Sequence, residues 1–147
     1  MAQDTPQSPP PAAQPPLSFL RLKQITNDAC ESTFNSVTSY DHSRVKAWSD
    51  NLINTILRSL VSETSKPPSN VPPFKFIVQG TIIQHQTPLS KVEPGSSGSR
   101  RGMYSACGAH WCETADGMWS YMYEAGAAKG LDVIISIIWI PIGIPGV

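Results

Sequence analysis

Gly130-Leu-Asp-Val-Ile-Ile-Ser-Ile-Ile-Trp-Ile140 is the stretch whose reading decides the fold. In an extended chain successive side chains point to opposite faces. One face of this run carries Leu131, Val133, Ile135, Ile137 and Trp139, and the other carries Ile134, Ile138 and Ile140. A half-solvated strand alternates apolar with polar residues, so a strand apolar on both faces is covered on both sides. Three more β-prone runs precede it: Pro73 to Gln84, Met103 to Cys112, and Gly117 to Tyr123. The last two are joined by Glu113-Thr-Ala-Asp-Gly117, and Asp-Gly between β-prone runs signals a hairpin, because tight reversals need positive φ. The expectation is a sheet of four antiparallel strands.

Working back from the sheet, two helical patterns come first. Leu22, Ile25, Ala29, Thr33 and Val37 recur at helical spacing, with Lys23, Asn27, Asp28 and Glu31 opposite them, predicting a helix over 19–37. A second pattern places Val45, Trp48, Leu52, Ile56 and Leu60 on one stripe and predicts a helix over 42–63, with Asp41 as its N-cap. It must stop before Pro67-Pro68, since proline lacks an amide hydrogen and disfavours helix in the residue before it. Helix, helix, then four strands is an α+β domain with both helices on one face of the sheet. Two helices cover one face only. A homodimer formed back to back through the sheets covers the other.

Two stretches lie outside this pattern. Residues 1–17 hold six prolines and a single charge, Asp4, and read as a disordered, partly polyproline-II tail ahead of a domain over 18–147. Residues 87–102 are rich in Pro, Gly and Ser and without period, and read as a flexible loop insertion.

Composition excludes several classes. The 147 residues carry 11 basic and 11 acidic side chains, so the chain lacks the electrostatic footprint of a nucleic-acid binder. Cys30, Cys107 and Cys112 make an odd count, and the N-terminus shows neither the basic nor the apolar region of a secretory signal, which fits a reduced intracellular setting. No metal site or cofactor is expected. Cys107 and Cys112 differ by an odd number, so on one strand they point to opposite faces. Of the three imidazoles, His42, His85 and His110, none sits in a recognisable nucleophile or general-base pattern, and no enzyme is expected. The apolar run 131–147 raises a tail anchor as a rival. Pro141, Pro145, the β-branched content and the missing basic flank argue against it.

Four motifs, in order, resemble the Tctex-type dynein light chains: Tyr40-Asp-His-Ser-Arg-Val-Lys-Ala-Trp48, Pro73-Phe-Lys-Phe-Ile-Val78, Ser105-Ala-Cys-Gly-Ala-His-Trp111 and Thr114-Ala-Asp-Gly117. The resemblance covers about residues 20–140. It implies a strand-swapped homodimer in which the second strand, near 103–113, pairs with the other protomer's sheet. It further implies that a disordered peptide adds as another strand beside it, above the second helix, by β-augmentation. The implied partner is the disordered N-terminal segment of a dynein intermediate chain, with cargo proteins as further clients, in a cytoplasmic, microtubule-associated motor complex. A hub for disordered partners outside dynein is the alternative. Carried onto this chain, the peptide-binding residues are Tyr104, Ser105, Ala106, Cys107, Gly108, Ala109, His110 and Trp111, with Trp48 and Asn51 on the second helix. The dimer interface is assigned to Phe76, Val78, Trp111, Trp119, Ile135 and Ile137. The chain departs from the family pattern in a longer loop before the swapped strand and in Cys112 after the tryptophan.

Overall fold

The computed structural model describes residues 12–85 and 106–143. The expected loop at 87–102 and most of the proline-rich tail lie outside them. Helix α1 spans Phe19–Phe34 and begins at Ser18, whose Oγ accepts the Arg21 N–H at 3.2 Å, satisfying one of the amides a helix start leaves free. Leu22, Ile25, Thr26, Ala29, Cys30 and Phe34 form its buried face. The helix stops three residues short of the expected 37. Asn35 and Ser36 offer the backbone competing hydrogen bonds and favour a turn. Val37 is nonetheless buried, its N–H donating to the Phe34 carbonyl at 3.0 Å.

Helix α2 spans Val45–Thr64 and buries Trp48, Leu52, Ile56, Leu60 and Thr64, one residue every four. Its N-cap is Arg44, without a side-chain bond, rather than Asp41. Asp41 closes a turn just ahead of the helix: its Oδ1 accepts from the Ser43 N–H at 2.9 Å and the Ser43 hydroxyl at 2.6 Å. Ser65 is already extended, two residues before Pro67.

The sheet has three strands among the described residues: β1 (Phe74–Gln84), β2 (Gly117–Met122) and β3 (Leu131–Pro141), in the order β1-β3-β2, all antiparallel. The doubly apolar run of 130–140 is the central strand. Phe76 and Gly117 both pair with Trp139, and Gly80 and Tyr121 both pair with Ile135. Leu131, Val133, Ile135, Ile137 and Trp139 meet the helices and are 0–2% exposed. α2 lies over β1, where Leu52 and Ile53 flank Gly80. α1 lies over β2 and its continuation, where Phe34 stacks on Tyr123 at 6.0 Å.

The fourth strand, expected at 103–112, is absent among the described residues. Residues 106–112 have no sheet pairing, and Met103 to Ser105 lie outside the described residues. Ala106-Cys-Gly-Ala109 brings little side-chain packing of its own, and strands are stabilised by their cross-strand neighbours. The turn before β2 also differs from expectation. Gly117 is not among the residues with positive φ. Its lack of a side chain serves the Trp139 indole, since a Cβ there would stand 2.3 Å from Cζ2. Positive φ appears instead at Gly130, closing the 3-10 turn Ala127–Lys129 that leads into β3.

Candidate functional site: an open strand edge and an uncovered sheet face

Because β3 is central, β1 and β2 are the edges. Among the described residues β2 is hydrogen-bonded to β3 alone, so its other side offers a row of backbone amides and carbonyls. A shallow groove of about 630 Å³ runs beside that edge, lined by the chain from Trp119 to Glu124, by Lys23 of α1 and by Ala127. The α1 wall is tied to the strand. The Tyr121 hydroxyl donates to Asn27 Oδ1 at 3.1 Å, and the Tyr123 hydroxyl donates to Glu31 Oε1 at 2.7 Å. Lys23 sits over the Tyr121 ring at 5.9 Å and reaches Glu124 at 3.4 Å. Burial, then the Glu31 bond, pushes the Tyr123 phenol above its ordinary range, and burial pushes the Cys30 thiol beneath it up to about 12. Both side chains are therefore neutral packing groups at physiological pH.

The sheet face away from the helices is the second feature. Cross-strand rows there read Ile77, Ile138, Met118; then Gln79, Ser136, Ser120; then Thr81, Ile134, Met122. Ile77 and Met118 are each 50% exposed and Met122 is 55% exposed. The middle row is polar, with Ser120 Oγ and Ser136 Oγ 2.9 Å apart. At one end His85 Nδ1 meets Asp132 Oδ1 at 2.9 Å. This is an apolar face with a narrow hydrogen-bonding stripe, the composition of an interface core rather than of a solvated sheet.

The structure sorts the sequence-predicted residues. Tyr104 and Ser105 lie outside the described residues. Ala106, Cys107, Gly108, Ala109, His110 and Trp111 form one continuous exposed run. Trp48 is 5% exposed, packed edge-on against Phe34 at 5.9 Å with Arg44 over its ring, so its indole belongs to the core. Asn51 donates to Thr33 Oγ1 at 2.9 Å and bridges α2 to α1. Among the described residues neither side chain engages 106–111 by a hydrogen bond or ring contact.

Of the six residues expected at the dimer interface, two are fully buried within the chain. Ile135 and Ile137 are 0% exposed beneath the helices. Phe76, Val78 and Trp119 pack against that same core. These three are half-buried on the strand phase that the helices cover, Trp119 also lining the groove beside the β2 edge, and Trp111 is 38% exposed. The residues that are free are one step out of phase: Ile77, Met118, Met122, Ile134, Ile138 and Ile140. The signal for them was the second apolar face of 131–140, which marks Ile134, Ile138 and Ile140 directly.

Among the described residues no three His, Cys, Asp or Glu side chains come together to hold a metal ion. Also among the described residues, no helix is long and apolar enough to cross a membrane, and residues 131–141 of the suspected anchor are the central strand. Compared with known proteins, residues 16–140 match the family model for the Tctex-1 family. No curated protein matches the chain.

Proposed function

The chain belongs to the Tctex-1 family, known as dynein light chains, and on that premise we propose that it is a non-catalytic, homodimeric adaptor of the cytoplasmic dynein motor. Each copy lends residues 103–112 to the sheet of the other, where the segment adds to the open edge of β2. The uncovered faces carrying Ile77, Met118, Met122, Ile134 and Ile138 pack against each other across the two-fold axis. Each added strand then presents its own free edge to a disordered client, the N-terminal segment of the dynein intermediate chain. Main-chain hydrogen bonds supply affinity, and small residues at 105, 106, 108 and 109 let the client's backbone come close. Two sites on one dimer hold two intermediate chains together, raising their effective concentration for each other. Cargo proteins with similar disordered segments would compete for the same edge, in the cytoplasm and along microtubules.

One observation carries this reading: a β2 edge with one hydrogen-bonded neighbour lies beside a groove, in a chain whose 106–111 run is exposed and unpaired. Both halves of a strand pairing are present in one molecule and do not meet. Calorimetric titration of the full chain with the intermediate-chain segment tests it. One segment bound per protomer, with mass doubling seen by sedimentation, is the expected result. A dimer indifferent to the segment would transfer the function to a client outside dynein, and a monomer would remove the mechanism.

A further inference from the structure

Asp116 is a residue that neither the fold nor the proposed pairing accounts for. It is 7% exposed, yet its carboxylate is only half used. Oδ2 accepts the Cys112 N–H at 2.9 Å, while Oδ1 is buried with no hydrogen-bond partner. Burying a carboxylate in this way is costly. A solvated Asn or Asp would turn the chain as well.

What the carboxylate achieves is visible at Cys112. The Cys112 carbonyl accepts from the Ala115 N–H at 3.0 Å and the Asp116 N–H at 2.8 Å, and its N–H is taken by Asp116. Its Sγ lies 3.3 Å from Thr114 Oγ1. Were 106–112 to fold back on β2 of the same chain, Cys112 would stand opposite the start of that strand and exchange these same two backbone groups with it. The turn has already consumed them. On the other side Gly117 lies against the Trp139 indole, which leaves the turn no slack to slide along β3. Residues 106–111 consequently leave the turn exposed, with no backbone hydrogen bond among the described residues.

We infer that Asp116 is a latch that holds residues 106–112 off their own β2, making the segment available to a second copy. The inference rests on the strand-exchange reading above. A closed monomer and an exchanged dimer contain the same strand pairs, so a small preference at the hinge sets the ratio between them. Asp116 touches neither client nor partner in this scheme; it is a positioning residue.

The test compares the full chain with Asp116→Ala and Asp116→Asn, the asparagine retaining an acceptor for the Cys112 N–H. Sedimentation across concentration gives the dimer dissociation constant, and amide exchange of 106–111 reports where that segment lies. Asp116→Ala is expected to raise the dissociation constant by at least about tenfold and to give a monomer with 106–111 protected, whereas Asp116→Asn stays within about threefold of the parent. An alanine variant with unchanged dimerisation overturns the latch, as does a monomer whose 106–111 amides exchange freely, which marks ordinary loosening. Should Asp116→Ala fail to fold, Gly-Gly inserted between Glu113 and Thr114 separates the carboxylate from Cys112, and the same two readouts decide. A parent chain that is monomeric at every concentration defeats the strand-exchange reading itself, an outcome distinct from failure of the latch alone.

Discussion

Replacing Gly117 with alanine drives a methyl group into the indole of Trp139. The new Cβ would lie 2.3 Å from Cζ2, 2.5 Å from Cε2 and 2.9 Å from Nε1. Carbon pairs rest at about 3.5–4.0 Å, so the closest contact is short by more than about 1 Å. Neither side yields easily. Trp139 is 2% exposed beneath the helices, and the two residues are paired directly across β2 and β3. Overpacking of this kind costs about 1–3 kcal/mol, and the rigidity of both partners places Gly117→Ala in the upper half of that range. Urea unfolding at one fixed protein concentration measures it, holding any contribution from association constant. Trp139→Phe removes the atoms the methyl strikes. The double variant should therefore be less destabilised than the sum of the singles by at least about 1 kcal/mol, the sign of coupled neighbours. A Gly117→Ala cost below about 0.5 kcal/mol, or strict additivity with Trp139→Phe, would refute the steric account.

Three further outcomes follow from the same geometry. Cys30, its thiol pushed up to about 12 by burial, should resist thiol reagents in the native protein while exposed Cys107 reacts; because the folded value is raised, its contribution is present below pH 9 and lost as pH rises beyond, so Cys30→Ala should flatten part of the alkaline fall in stability. The bond from Arg21 holds the Glu63 carboxyl below its ordinary value, so its contribution is present above the usual carboxylate range and lost as pH falls; Glu63→Gln should cost under about 1 kcal/mol at pH 7, for a pair this exposed, and nothing at pH 3 in denaturant titrations. The two phases of the sheet should separate cleanly: Ile135→Ala should cost about 2–5 kcal/mol of folding stability, while Ile77→Lys should leave the fold intact and shift the sedimenting species to monomer.

Much of this architecture was legible in the residues. That β3 is a strand apolar on both faces was legible in its lack of alternation; its place between β1 and β2 was not, since face coverage does not set strand order. Both helices followed from stripes that do face the core. What escaped was decided by contacts between distant residues. Gly117 looked like a positive-φ turn glycine, and only the fold brings Trp139 against it. Asp41 looked like a cap, but Ser43 lies nearer to its carboxylate than the first free amides of α2. Ile135 and Ile137 were expected at a dimer interface and lie beneath the helices instead, because large apolar side chains mark burial without saying what buries them. The segment at 106–112 has β-prone neighbours yet, among the described residues, no pairing partner, and a single sequence does not distinguish pairing within a molecule from pairing between two.

The central claim is that residues 106–112 of one copy complete the sheet of another at the β2 edge. Amide exchange of the full chain, followed residue by residue across protein concentration with mass measured in parallel, tests it most directly. The account predicts that the outward amides of 117–122 and those of 106–111 become protected together, and only as the dimer forms. Protection of both in a monomer, or a dimer whose β2 edge exchanges freely, would contradict it.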